Sequence, residues 1–359
     1  MRFSQVPQES KKQINKAGHV LVQTDASKTE FEWALDLADR WRACHAYPIN
    51  TFQSTLRDKL RHYPGDPIVA QRLKRMPTII DKLKRFPNMQ LTTMQDIGGV
   101  RAVMASIDDV NSLADQYKNS RRLAHQLVEE KNYIHSPRSE DGYRSLHLIY
   151  KYKNLQVPTY DGLRLELQIR TKLQHIWATA VETMGTFLGQ ALKSRKGDQE
   201  WLDFFATISS AFAMEENCAP VPRFSKMNMS DTFLAVAEAE SKLNALHKMN
   251  AFSVAVQEIT NKDRGAGKGW SYHLIVLNSM EKTVQIMPYD RDSFTQAVAD
   301  YSLFESQAAK GMKIEPVLVS AGPIDKLRRA YPNFFLDIND FEIKVRQIID
   351  TAKFVHGKM

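Results

Sequence analysis

The sequence predicts an α+β chain, with a β-sheet flanked by helices and a small α+β domain at the C-terminal end. Three observations carry this. Residues 163–170 alternate strictly, with Leu163, Leu165, Leu167 and Ile169 on one side and Arg164, Glu166, Gln168 and Arg170 on the other. A period of two is that of a half-buried strand. Helix-period stretches lie on both sides of it, at 28–46 and 172–192. The run Ala219-Pro220-Val221-Pro222 then interrupts the chain, and shorter strand and helix patterns follow. A length of 359 residues makes two domains the natural expectation. The boundary is placed at this run, giving 1–220 and 221–359.

In chain order, 9–22 reads as a short basic helix with Ile14, Ala17, Val20 and Leu21 as its apolar stripe. Ser27 and Glu30 have capping-box spacing at the head of 28–46. There Phe31, Ala34, Leu35, Leu37, Ala38 and Trp41 recur at helical spacing, and Pro48 is expected to end the helix. A third helix is expected over 51–62. Residues 69–86 carry six cations in one helical or near-helical stretch: Arg72, Lys74, Arg75, Lys82, Lys84 and Arg85. They form either a solvated basic face or a triphosphate clamp, in which Arg stacks and Lys supplies point charge. Gly99 breaks ahead of a short strand over 100–104, and 107–119 and 121–130 read as helical. Residues 145–152 read as a partner strand, with Ser145 and His147 sharing one face. Asp141-Gly142-Tyr143 before it is a turn signal followed by an aromatic, which can offer its ring face to a base.

In 172–192, Leu173, Ile176, Trp177, Ala180, Met184, Phe187 and Ala191 form a buried stripe, which makes Trp177 core. His175 and Glu182 lie on another face, over a site or at the surface. A helix at 201–212 follows. Beyond the boundary come a connecting helix at 231–249, strands at 252–259, 271–277, 283–287 and 316–319, and helices at 293–310 and 343–353. The glycine-rich 261–270 is read as a hairpin loop, because Lys268 is followed by Gly269 and the P-loop spacing is absent.

Two features suggest chemistry. A Glu between Arg and Gln, with a further Arg, on one face of 163–170 looks like the floor of a site. Asp96, just ahead of the glycine pair, is either ordinary turn chemistry or a Mg²⁺ ligand of a phosphoryl-transfer site. Composition narrows the partners. No apolar run of membrane-spanning length occurs, and the N-terminus lacks the apolar region of a secretory signal, so a cytoplasmic protein is expected. Cys44 and Cys218 are the only cysteines, which excludes a cysteine-rich zinc module. The net charge of +8 suits phosphate-rich ligands, or marks a solvated surface.

Four blocks in order, RLKRMPTIIDK (72–82), DIGGVR (96–101), NYIHSPRSEDGYRSLH (132–147) and ELQIRT with QHIWA (166–178), resemble the RelA/SpoT nucleotide pyrophosphokinases over about residues 65–185. The resemblance implies a mixed sheet flanked by helices. It implies that Arg72 and Arg101 sandwich the adenine of ATP and that Lys74 and Lys82 hold its phosphates. Asp96 would bind Mg²⁺ with Glu166 beside it, and Glu166 would be the base for an attacking 3′-hydroxyl. Tyr143 would stack on the acceptor's guanine. His147 and Arg138 would contact the acceptor, with Gln168 and Arg170 supporting. The implied reaction moves the β,γ-pyrophosphate of ATP to GDP or GTP. In a toxin branch of the family the acceptor is the 3′-CCA end of tRNA. Some of that branch carry a C-terminal domain that restrains the toxin and senses a phage protein (the CapRel type). The appended domain here fits such a regulatory or partner-sensing role. Asn132 stands where the family usually has Asp, and the loop 137–143 is one residue longer and more acidic than usual, which touches acceptor recognition. No His-Asp pair occurs, so a hydrolase activity is not expected.

Overall fold

The computed structural model describes residues 3–74, 76–120, 123–191, 198–263, 272–278, 281, 283–290, 292–312, 314–320 and 334–357. For some of these, 186–191 and 255–263 among them, only the backbone is described. The chain forms two compact units: Met1–His135 with Arg144–Lys172, and Ser136–Tyr143 with Leu173–Met359. The expected boundary at 220/221 therefore falls inside the second unit.

The first unit is built on a mixed five-stranded sheet of order β1-β2-β5-β4-β3. Its strands are β1 (Ile68–Leu73), β2 (Gly98–Met104), β3 (Gln126–Asn132), β4 (Leu146–Lys151) and β5 (Arg164–Thr171). Only the β2–β5 pair is parallel. β5 is last in the chain and central in the sheet. The alternation read at 163–170 holds as far as Ile169: Leu165, Leu167 and Ile169 are fully buried and Arg164, Glu166 and Gln168 only partly so, but Arg170, expected on the polar side, is buried as well.

Helices α1 (Lys11–Val20), α2 (Lys28–Ala43), α3 (Ala46–Leu60), α4 (Met76–Arg85) and α5 (Ile107–Lys118) complete the unit. Ser10 with Gln13 and Ser27 with Glu30 form the capping boxes of α1 and α2. α3 and α5 pack on the sheet. Ile49 of α3 reaches Gly98 beside Leu165, where an added Cβ would lie 2.9 Å from Leu165 Cδ2 and 3.0 Å from Ile49. That face is therefore the covered one. Side chains alternate across a strand, so Gly99, Arg101, Glu166, Gln168 and His147 share the opposite face.

Several expectations need correction. The cationic stretch 69–86 is not one helix: Arg72 lies on β1, Lys74 follows it and Lys82 lies on α4. The glycine pair belongs to β2, because Gly99 lets the parallel partner approach; an added Cβ would stand 3.2 Å from the Glu166 carbonyl oxygen. Residues 126–130 are strand β3 rather than helix. α2 stops at Ala43, and Pro48 sits in the first turn of α3, where its missing N–H costs no helical bond. Phe31 and Leu35 are exposed; Ala34, Leu37, Ala38 and Trp41 are buried.

The second unit contains α6 (Lys172–Ala191) from Leu173 onward, α7 (Asp198–Glu215), α8 (Met229–Leu243), α9 (Ala245–Asp263), α10 (Phe294–Ala309) and α11 (Phe334–His356). Its antiparallel sheet of order β7-β6-β8 joins β6 (Tyr272–Asn278), β7 (Thr283–Tyr289) and β8 (Ile314–Ser320). The expected strand at 252–259 is helical. Asn244 takes a left-handed conformation (φ 51°) that ends α8, and α9 starts at once. Trp177 is core, with its Nε1 donating to the Phe205 carbonyl at 2.8 Å. His175 is buried, not a surface residue. Phe187 and Ala191 lie outside the described side chains, and most of the 261–270 loop lies outside the described residues.

Candidate active site

The face of the first unit's sheet opposite α3 collects the charged residues. Strand register sets Arg72 beside Gly99 and Gly99 beside Glu166. One step along, Arg101 pairs with Gln168 and Gln168 with His147. The polar side chains of four strands thus lie in neighbouring rows on one surface.

Glu166 is the centre of this surface. His147 Nδ1 donates to its Oε1 at 2.8 Å, and Gln168 Nε2 donates to its Oε2 at 2.7 Å. Arg101 Nε donates in turn to Gln168 Oε1 at 3.3 Å. These donors orient the carboxylate from both ends. Burial is the largest influence on its pKa and acts to raise it. The hydrogen bond and charge of His147 and the Gln168 bond lower it, the charge of Asp96 opposes them, and the net result lies below the usual glutamate value.

Asp96 stands in the turn entering β2. Lys74 Nζ and Lys82 Nζ reach its Oδ2 at 2.8 and 2.9 Å. The Lys74 backbone N–H bonds the Ile97 carbonyl at 2.7 Å, which ties the end of β1 to this turn. Burial, again the largest influence, would raise the Asp96 carboxyl, but the two ammonium charges and their hydrogen bonds hold it below the ordinary range. Its other oxygen, Oδ1, is buried and has no hydrogen-bond partner among the described residues.

That unused oxygen bears on a metal. Mg²⁺ is commonly held by one or two carboxylates, with waters and substrate phosphates filling the remaining positions. Asp96, with a spare buried oxygen, and Glu166, close enough for the two carboxylates to influence each other, fit that donor set.

The predicted residues fall into four sets. Lys74, Lys82 and Asp96 meet directly; Arg101, Gln168, His147 and Glu166 form one chain of contacts. Arg72 lies in the same rows and is exposed, whereas Arg170 is buried at 2% exposure. Arg138 and Tyr143 belong to the second unit, where the guanidinium lies 4.6 Å from the ring centroid. The sequence reading missed Gln95, Glu129 and Lys131. Gln95 donates to Glu129 and accepts from Lys131 Nζ at 2.9 Å, and Lys131 pairs in register with His147. Tyr133 meets the His147 ring edge-on at 5.3 Å. The signal for these was faint: β3 alternates in burial, but its sequence QLVEEKN is mostly polar.

Residues 71–185 match the family model described as "Region found in RelA / SpoT proteins". GTP pyrophosphokinase YjbM of Bacillus subtilis is 33% identical over 113 residues, covering 31% of this chain and 52% of the relative. GTP pyrophosphokinase YwaC of the same organism is 32% identical over 114 residues, covering 30% and 52%. A Mycobacterium tuberculosis protein, Rv1366, is 34% identical over 128 residues, covering 35% and 42%. The chain thus spans about half the length, or less, of the curated relatives it matches. Among solved structures, a GTP pyrophosphokinase family protein from Streptococcus pneumoniae aligns at 23% identity and a TM-score of 0.41, over 53% of this chain and 93% of that one. The small alarmone synthetase 1 of Bacillus subtilis, bound to its product pppGpp, aligns at 24% and 0.41, over 50% and 93%. Within this chain, residues 71–185 are a RelA/SpoT region.

Proposed function

We propose that this chain is an ATP-dependent pyrophosphokinase that moves the β,γ-pyrophosphate of ATP to the 3′-hydroxyl of GDP or GTP, making (p)ppGpp. One observation carries the reading: two ionised carboxylates, Asp96 in the turn entering β2 and Glu166 on the adjacent strand β5, are each held by donors, one by two lysines and the other by His147 and Gln168. The 3′-oxygen attacks the β-phosphorus, the bond from the bridging oxygen to that phosphorus breaks, AMP leaves, and the hydroxyl proton passes to Glu166. Such a transfer depends on positioning and charge neutralisation more than on covalent help. Arg72 and Arg101 would hold the adenine, and Lys74 and Lys82 the phosphates. On the acceptor, Tyr143 would take the base, while His147 and Arg138 would take the phosphates. Gln168 and Arg170 support the floor. Mg²⁺, held by Asp96 and Glu166, would neutralise phosphate charge. Such nucleotide substrates would suit a cytoplasmic protein; no described helix is long and apolar enough to cross a membrane.

The lengthened, acidic loop 137–143 favours a second reading, in which the acceptor is the 3′ end of tRNA and the product is a blocked tRNA. In either case residues 221–359 would serve as a regulatory region that responds to a partner protein. The test is transfer of label from ATP marked at the γ-phosphate, with Mg²⁺, to GDP, GTP or deacylated tRNA in parallel. Label on GDP or GTP is expected, and Glu166→Gln should slow it by about 10²–10⁴-fold, the usual contribution of a general base. Label on tRNA alone selects the second reading. Undiminished transfer by the variant refutes the assignment of Glu166.

A further inference from the structure

The loop 137–143 holds a contact that the transfer reaction does not require. Asp141 Oδ1 accepts hydrogen bonds from the Tyr143 backbone N–H at 3.0 Å and from Arg138 Nε at 3.1 Å. Its Oδ2 accepts from Arg138 Nη2 at 2.5 Å. This fork lays the guanidinium over the Tyr143 ring. The backbone closes the same turn, with Gly142 N–H on the Arg138 carbonyl at 2.9 Å and Arg138 N–H on the Tyr143 carbonyl at 3.3 Å. Gly142, at φ 80°, is pressed on α7, and Ser209 Oγ donates to its carbonyl at 2.6 Å. Tyr143 also packs on the core of the second unit, its ring centroid 6.4 Å from that of Trp177. The turn is therefore pinned on every side except where Arg138 lies, half exposed.

We infer that Asp141 is a specificity-determining residue: by holding Arg138 across Tyr143, it fills the stacking face that an acceptor base would take, and so sets acceptor affinity. The inference rests on the pyrophosphokinase reading. A guanidinium is planar and stacks on an aromatic face much as a base does, so the two compete for one surface. The two-oxygen fork fixes the geometry as a single contact would not. When a base arrives, Arg138 leaves the ring, and its donors can then meet the acceptor's phosphates. Apparent affinity falls by the fraction of molecules in which the face is open. An exposed ion pair and an exposed cation–π contact together suggest roughly a 3–10-fold effect. Asp141 acts through Arg138 and is a positioning residue.

The experiment uses the full chain. The nitrogen-15 Nε resonance of Arg138, assigned with Arg138→Lys, should be shifted by the Tyr143 ring current. It should move to the free-arginine position in Asp141→Asn and on adding GDP. By calorimetry without ATP, Asp141→Asn should bind GDP about 3–10-fold more tightly and ATP equally well; in turnover, the effect should fall on the acceptor KM rather than on kcat. A free-arginine resonance in the unmodified protein overturns the inference. So does equal GDP affinity in the two proteins, and then the pyrophosphokinase reading stands. GDP that binds neither protein, with Arg138 still on the ring, refutes the guanine-acceptor reading and the competition together.

Discussion

Asp96→Asn tests whether the two lysines hold the carboxylate or merely pass near it. Lys74 and Lys82 sit 2.8 and 2.9 Å from one oxygen, and the three side chains retain 10%, 21% and 20% exposure. Two unit charges about 4 Å apart interact by roughly 4 kcal/mol at an effective dielectric of 20, much of which offsets desolvation. Deleting one partner of a buried pair costs about 3–5 kcal/mol, because the survivor is left uncompensated. Partial exposure lets each ammonium recover some water, which lowers the expectation to about 2–3 kcal/mol. For a unit of this size that is a fall of about 4–12 °C in its melting temperature. The pH dependence has a definite sign. Asp96 has a folded pKa below its ordinary 3.8, so its stabilisation is present above 3.8 and lost as pH falls through the lower folded value. The melting curves of parent and variant should therefore converge on acidification. Calorimetric melts of the full chain, from neutral to about pH 3, read this directly. Adding Lys82→Met in a double-mutant cycle should show a coupling of about 1 kcal/mol or more. A variant that melts within about 1 °C of the parent at neutral pH, or additive single effects, would refute the clamp.

Two further predictions concern the second unit. Gly142→Ala forces a side chain onto a left-handed residue and sets its Cβ 2.8 Å from Ser209 Cβ, so urea unfolding should show a loss of at least about 1–3 kcal/mol; a neutral result would contradict the pinned turn. Glu342 is buried at 6% exposure, with Oε2 taking Asn250 Nδ2 at 3.3 Å and Oε1 without a partner among the described residues. Burial raises its pKa above 4.5 against weaker opposition from Asn250 and Arg346, so its contribution is full below 4.5 and is lost as pH rises through the folded value. Glu342→Gln should hold or gain about 1 kcal/mol at neutral pH and flatten that dependence; a clear loss in neutral thermal melts would count against it.

Strand β5 was legible because Leu165, Leu167 and Ile169 line one face and Arg164, Glu166, Gln168 and Arg170 the other, a pattern that a single strand displays without help from the rest of the fold. The parts that misled are those where tertiary context decides. β3 is an edge strand that exposes Gln126, Val128, Glu130 and Asn132 and half-buries Leu127, Glu129 and Lys131, so polar and apolar residues fall on both faces and its sequence carries little apolar rhythm. Residues 252–256 alternate Phe-Ser-Val-Ala-Val, yet Ala251 and Phe252 are buried in the helical core of the second unit and the stretch is helix. The contact of His147 with Glu166 depends on the antiparallel register of β4 and β5, which no local pattern encodes. The paired lysines were legible as cations, but their convergence on Asp96 required β1 to be a strand, and its Arg and Gln disguised it.

The strand order also bears on how the protein is made. Because β5 completes the middle of the sheet, a nascent chain that has displayed Asp96 still lacks its second carboxylate and the strand that joins β2 to β4. Seventy more residues separate Asp96 from Glu166, roughly 4–14 s of synthesis at ordinary ribosomal rates. During that interval β1–β2 and β3–β4 exist only as separate hairpin-like pairs, each with an open edge waiting for the same partner. Truncated or stalled products are therefore expected to be prone to associate, and the row of charged residues on the sheet should be completed in one step, when β5 docks.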